Sequence, residues 1–215
     1  DSATLDSLEL ELLGGLGATL WALEGSSDQS LVTLCERVLD LASKQGRPDR
    51  EFDAHLALTN HYYVAGRITQ AESHIRPCLS LAESSQDSDQ LVSAHRIMGE
   101  LAFYLGDLDC AIEHLGRAIE HYHVERQSAL VLKLGDDPGI LARPYLALSL
   151  WLKGEVGNAF KQCNEAIAEA EKFGHEYTLT QANFDTAWLH AIARSFESAK
   201  MFASKSIELC SVGKD

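Results

Sequence analysis

Residues Leu91 to Glu120 read LVSAHRIMGELAFYLGDLDCAIEHLGRAIE. Apolar side chains recur three and four positions apart on both sides of Gly106-Asp107, the spacing of two amphipathic helices joined by a tight turn. Met98, Gly99 and Ala102 stand before the turn, and Ala111, Leu115 and Ala118 after it. Small side chains at such stations let two helices close into a hairpin and let another hairpin stack on the first.

Working outward, the triplet of the second helix returns along the whole chain. It reads Leu31, Cys35, Val38; Ala71, Ile75, Cys78; Ala111, Leu115, Ala118; Ala159, Cys163, Ala166; and Ala199, Ala203, Ser206. Successive triplets are 40, 40, 48 and 40 residues apart. Each follows a turn, at 24–28 (EGSSD), 65–69 (AGRIT), 105–109 (LGDLD), 153–157 (KGEVG) and 193–197 (ARSFE). The pattern predicts five helical hairpins, approximately 5–46, 50–86, 89–123, 138–173 and 176–211, forming one repeat domain over 1–215. The 48-residue interval places an insertion at 121–140, HYHVERQSALVLKLGDDPGI, read as an extended connector ahead of a capped helix. Asp136 or Asp137 is the capping residue and Pro138 an early helical position. Pro77 and Pro144 interrupt helical patterns and are read as lying near a first turn or at a bend.

Composition bounds the rest. Leu, Ala, Glu and Ile dominate and no run reads as a strand, so the chain is expected to be all-α. The 18 Lys and Arg against 32 Asp and Glu give a net charge of −14, which argues against nucleic acid or an anionic membrane as partner. No apolar run approaches the roughly 20 residues of a membrane span. The five cysteines are odd in number, widely spread and without a C-x-x-C pair, which fits thiols used as small apolar side chains in a reducing, cytoplasmic compartment. Walker, dinucleotide and nucleophile-elbow motifs are missing, as are zinc-ligand spacings, so no catalytic residue, cofactor or metal is assigned. The chain opens on DSATLDSLEL, with neither an initiator Met nor a signal peptide, and reads as a piece of a longer protein.

The small-residue stations, the glycine turn and the Ala-x3-apolar-x2-Ala helix resemble the tetratricopeptide pattern. The period is longer than the usual one of about 34 residues. The order ATLWALEG (18–25), AHRIMGELAFYLGDLDCAIEHLGRAIEHY (94–122), LGDDPGILARPYLALSLWLKG (134–154) and EAIAEAEKFGHEYTLTQANFDTAWLH (165–190) is similar to the tetratricopeptide region of large bacterial signalling proteins. In these a class III nucleotide cyclase or other output domain is joined to a predicted ATPase and then to such repeats. The resemblance implies a right-handed α-solenoid and a regulatory or scaffolding role, with the cyclase and ATP-binding residues outside this chain.

Candidate sites are weighed against packing. His114, His121 and His123 cluster in sequence, and His55 and His95 share one station on consecutive first helices, but no ligand set of three or four donors is formed. Asp107, Asp109, Asp136 and Asp137 lack the calcium-loop spacing and read as turn and cap residues. The resemblance implies that first helices line the concave face. The stations placed there are Leu56, Asn60 and Tyr63; Arg96, Glu100, Phe103 and Tyr104; Leu148 and Trp151; and Phe184 and Trp188. From these, Asn60, Tyr63, Arg96, Glu100, Tyr104, Trp151 and Trp188 are taken as the candidate partner-binding groove. Aromatic residues at helical spacing fit a core as well as a binding surface, and both readings stand at this point. Repeats that grip an acidic C-terminal tail resemble one another in a clamp of Lys, Asn, Asn, Lys and Arg. Here Leu56, Asn60, Ile97, Leu141 and Tyr145 stand in the corresponding series, and only Asn60 matches.

The expected function is a non-catalytic interaction and regulatory scaffold of a multidomain cytoplasmic signalling protein, its partner another protein or a neighbouring domain of the same chain. The alternative is a small-molecule sensor that binds an effector inside the superhelix to control an attached ATPase or transcriptional output domain. An enclosed apolar pocket favours the sensor and an open aromatic groove the scaffold. Oligomeric state is left open.

Overall fold

A computed structural model describes residues 4–13 and 29–212. Residues 4–13 form α1. There follow α2 (Gln29–Gln45), α3 (Pro48–Val64), α4 (Ile68–Ser85), α5 (Ser88–Leu105) and α6 (Leu108–His121). A 3₁₀ turn (Val124–Arg126) then leads to α7 (Gln127–Leu134), α8 (Pro138–Leu152), α9 (Val156–Phe173), α10 (Glu176–Ile192) and α11 (Phe196–Val212). No strand occurs among the described residues. The turn expected at 24–28 lies outside them. The chain divides into two compact units, Asp1–Gln90 and Leu91–Asp215.

In the first unit, Leu10 of α1 packs with Leu31, Cys35, Val38 and Leu41 of α2 and with Ala54 and Leu58 of α3. The triplet Ala71, Ile75 and Cys78 is fully buried on α4. In the second unit the triplets of α6 (Ala111, Leu115, Ala118) and α9 (Ala159, Cys163, Ala166) are likewise buried, at no more than 1% exposure. Only α11 is looser: Ala199 and Ala203 are half-buried, while Ser206 is buried and donates to the Thr180 carbonyl. Gly99 shows why small residues are required. A Cβ built there falls 2.5 Å from Leu115 Cγ and 3.1 Å from the Leu115 backbone nitrogen, so the glycine sets how closely α5 and α6 approach.

The hairpin turns share one conformation. Gly66, Gly106 and Gly154 occupy the left-handed region with φ of +69°, +80° and +88°, and in the last hairpin Arg194 adopts it with φ +59°. An L-residue there crowds Cβ against the carbonyl, a cost of roughly 1–2 kcal/mol.

One expectation needs correction and another is narrowed. The connector 121–140 is not extended, because it holds the 3₁₀ turn and the helix α7. Gln127–Leu134, QSALVLKL, is rich in helix formers; Leu130 anchors it at 2% exposure and Gly135, φ +84°, ends it. Pro77 and Pro144 lie well inside α4 and α8 rather than in a first turn, each forfeiting one backbone hydrogen bond. The helix start at Pro138 follows the expected logic, with Asp137 as the cap. Its Oδ1 accepts from the Gly139 and Ile140 amides at 3.0 Å each, and its Oδ2 accepts from the Tyr122 hydroxyl at 2.7 Å. The Asp137 amide donates to Thr178 Oγ1 of α10, and the Tyr122 ring fills the space where Gly139 has no Cβ. The connector is thereby pinned to the hairpin that follows. Arg143 of α8 joins the next helix through Glu165 and Glu169 of α9, at 2.9 Å each.

Gly99→Ala is expected to destabilise by about 1–3 kcal/mol, since Leu115 can yield only by moving backbone. Gly116→Ala in the same hairpin meets open space and is expected to stabilise by about 0.5–1 kcal/mol. Arg194→Gly is expected to stabilise by about 0.5–1 kcal/mol through relief of the left-handed conformation. Urea denaturation of the three variants checks the order; equal midpoints for the two glycine variants contradict the close contact.

Candidate interaction face

In the second unit, α5, α8 and α10 turn one face each toward a common patch. On α5 the spacing 96, 100, 103, 104 and on α10 the spacing 177, 181, 184, 185, 188 each describe one helical stripe. Tyr145 of α8 lies between them. Its ring meets Phe103 edge-on at 5.7 Å and Trp188 edge-on at 6.5 Å, while Phe103 and Trp188 meet edge-on at 5.8 Å. The hydroxyls of Tyr104 and Tyr145 share a hydrogen bond of 3.1 Å. Tyr145 is buried, whereas Tyr104, Tyr177 and Phe184 are exposed at 48%, 56% and 55%. The patch is therefore a packed aromatic floor with Tyr104 open at its edge and Tyr177 and Phe184 open along the stripe of α10.

One helical turn away the floor becomes ionic. Arg96 pairs with Glu100 at 3.2 Å and with Asp136, in the turn before α8, at 3.4 Å. Asp185 of α10 is 1% exposed and accepts from the Gln181 amide at 3.4 Å. Burial pushes the Asp185 carboxyl up to about 7, helped by the neighbouring charge of Glu100, while Gln181 and Arg96 pull the other way. The charges of Asp136, Arg96, Asp185 and Glu100 all reach the Tyr177 phenol. Three carboxylates thus stand against one guanidinium.

The structure brings together four of the residues taken from the sequence: Arg96, Glu100, Tyr104 and Trp188. Trp151 packs, half-buried, against the hydrophobic cluster around Ala111, Leu115 and Leu148. Asn60 and Tyr63 are half-buried on α3 of the first unit. Leu56 and Leu148, placed at groove stations from the sequence, are buried core. Tyr145, Asp136, Asp185 and Tyr177 were missed as members of the face. Asp185 was findable, because it sits one turn before Trp188 on the same stripe.

A separate cleft of about 510 Å³ lies between the connector and the end of α9, lined by Tyr122, His123, Glu125, Glu169, Lys172 and Phe173 among others. It opens to solvent and carries charge of both signs. No group of three or more His, Cys, Asp or Glu among the described residues is arranged to hold a metal ion. No helix among them is long and apolar enough to cross a membrane.

No family model matches the chain, and no curated protein matches it by sequence. Solved structures do. Two crystal structures of a Podosopora anserina putative kinesin light chain with nearly identical TPR-like repeats, one a point variant, superpose with TM-scores of 0.62 and 0.60. Each is 16% identical, and the matches cover 97% and 95% of this chain and 96% of the other. BtubC (BKLC) from P. vanneervenii gives a TM-score of 0.56 at 14% identity, covering 98% of this chain and 90% of that one. The fold is that of TPR-like repeat proteins. It belongs to the all-α, α-solenoid class.

Two of the TPR-like hairpins carry the same internal contact. His55 Nδ1 lies 3.1 Å from His74 Nδ1 across α3 and α4, and His95 Nδ1 lies 2.8 Å from His114 Nδ1 across α5 and α6. Both members of the second pair are 40 residues on from those of the first, one full period. One nitrogen of each pair must donate and the other accept, so a neutral pair is held in complementary tautomers. His121 stacks on His95 at 6.0 Å, and Tyr62 on His74 at 5.6 Å. Burial lowers His55 and His95 to about 4, and the partner histidine adds to it. For His95 the charges of Arg117 and His121 act in the same direction.

The sign of the pH effect follows. A histidine kept neutral by the fold contributes stability that is present above its ordinary value of 6.5 and is lost as pH falls toward about 4, because only the unfolded chain takes up the proton. Asp185 works the other way, since its raised pKa makes the folded chain bind a proton as pH falls below about 7. The histidine effect is therefore read against a variant. From pH 7 to pH 4, the native chain is expected to lose about 1–3 kcal/mol relative to His95→Gln. Parallel stability curves for the two proteins show that the pair is not neutral in the folded chain.

Proposed function

We propose that the chain is a non-catalytic protein-interaction scaffold of TPR-like hairpins, acting as one repeat domain through the face of α5, α8 and α10. Open aromatic rings over a rigid floor carry this reading. Tyr104 leaves about half its area exposed beside the packed ring of Tyr145, and Tyr177 and Phe184 do so along the stripe of α10. Tyr, Trp and Arg are the residue types on which binding energy concentrates, and rigid aromatic side chains lose little entropy on binding. The resemblance of the sequence to repeat regions of signalling proteins supports a place in a multidomain cytoplasmic signalling protein of nucleotide cyclase or ATPase type, with a neighbouring domain or a separate protein on this face. Asn60 and Tyr63, half-buried on α3 of the first unit, are proposed as binding residues of that unit, and Trp151 as a flanking support of the face in the second. The sensor alternative has the cleft beside α9 as its place, and that cleft's charged, solvent-open lining is less suited to enclosing an apolar effector.

The reading separates two tyrosines joined by one hydrogen bond. Tyr104→Ala is expected to weaken partner binding by roughly thirtyfold, about 2 kcal/mol, with little change in melting. Tyr145→Ala is expected to lose about 3–5 kcal/mol of stability, as a truncated core aromatic does. Melting and affinity for a partner domain, measured on both variants, check this. A Tyr104→Ala protein that binds as well as the native chain counts against the face.

A further inference from the structure

We infer that this face receives a cationic side chain of a partner protein segment, arginine above all, seated at the open ring of Tyr177 over the carboxyl groups of Glu100, Asp136 and Asp185, with the flanking segment lying along the open rings of Phe184 and Tyr104. The inference rests on the proposed reading of the face as a partner surface and adds the chemistry of what it binds.

Charge complementarity is the first argument. Around the patch, α5 supplies Arg96 and Glu100, the turn before α8 supplies Asp136, α8 supplies Tyr145, and α10 supplies Tyr177, Gln181 and Asp185. The formal balance is one positive charge against three negative ones. Glu100 and Asp185 are 3% and 1% exposed, so water does little to screen them, and low-dielectric walls focus their field toward the opening. The second argument is the rim. Open aromatic rings attract a cation by their faces, and a guanidinium stacks on rings while reaching carboxylates, which an ammonium does less well. An acidic segment would meet like charge, and a purely apolar one would cover the carboxylates without compensating them.

Protonation supplies the third argument. A proton on Asp185 and a partner's cation relieve the same excess of negative charge, so they compete. With Asp185 pushed up to about 7, cation binding is expected to expel a proton near neutrality and to strengthen as pH rises.

The test uses the intact chain and three pools of acetylated, fluorescein-labelled nonapeptides. Flanks are randomised among Gly, Ala, Leu, Phe and Ser, and the central residue is arginine, its neutral isostere citrulline, or glutamate. At pH 8 the arginine pool is expected to be retained about tenfold more than the citrulline pool, and the glutamate pool least. At pH 6 that advantage is expected to shrink severalfold, and in Asp185→Asn to become small and independent of pH. Asp136→Asn, which removes one of the two carboxylates paired with Arg96, lowers the arginine advantage. Tyr177→Ser and Phe184→Ser, both at exposed positions, keep the melting temperature and lose retention of the arginine pool. Equal retention of arginine and citrulline overturns the inference while leaving the face a binding surface. So does a pH dependence that survives in Asp185→Asn. Retention of no pool, or retention unaffected by Tyr177→Ser and Phe184→Ser, overturns the proposed function as well.

Discussion

The close approach of paired helices governs everything else in this molecule. At Gly99 and Leu115 a single methyl group is too much, and the triplets of α4, α6 and α9 repeat that condition with Ala, Cys, Ile or Leu in layers that exclude solvent. Because the Gly99 backbone meets the base of the Leu115 side chain and the Leu115 nitrogen directly, the contact fixes the separation of the helices tightly. Tyr145, Phe103 and Trp188 of α8, α5 and α10 pack in the same cluster as the layers of α6 and α9 and inherit that spacing. The ring contacts of Tyr145 with Phe103 and Trp188 follow from it. A hairpin held by bulky, flexible side chains would leave those rings free to drift.

Most of the fold was legible in the sequence because its information is periodic. A spacing of 40 residues repeated three times names the contact layer without any knowledge of partners, and the fully buried triplets occupy those positions. The insertion was also visible, but not its conformation. In QSALVLKL five of eight residues are apolar, four of them consecutive, so no stripe stands out, and its one buried anchor, Leu130, depends on contacts from elsewhere in the chain. The placing of the prolines, near a first turn or at a bend, stayed open in the sequence for a related reason. The helices α4 and α8 are long and well packed enough to carry an interior Pro77 or Pro144 that local propensity would place at an end.

The site was legible only as a stripe on each helix. Arg96, Glu100 and Tyr104 come from one helix and are recognisable together, whereas Tyr145 joins them from α8 through a contact 41 residues away in sequence. Asp136 and Asp185 are harder still, since an aspartate before a helix or within one is ordinary until its neighbours are known. The histidine pairs show the opposite case. His55 and His95 were matched by station, and the same period applied to His74 leads to His114, so the partner of each was implied by a repeat already in hand. Histidine in these layers stands as a shape-matched pair across each hairpin, and the acidic floor of the interaction face is built from other stations. The two ionisable features have opposite pH signs because burial favours the neutral form of each, which is deprotonated in histidine and protonated in aspartic acid.

The triplet layers also decide the reactivity of the cysteines. Cys35, Cys78 and Cys163 stand where other hairpins place alanine or leucine, and all three are buried. Burial pushes the thiols of Cys35 and Cys163 up to about 12, and Cys78 donates its hydrogen to the Phe52 carbonyl. Alkylating reagents act on thiolates, so these three stay silent in the folded chain. Cys210, exposed on α11, and Cys110, half-buried at the start of α6, are left to react. A fluorophore or spin label added to the native protein thus reports from the ends of two known helices with no engineered mutation, and the number of labels taken up counts how many contact layers have opened.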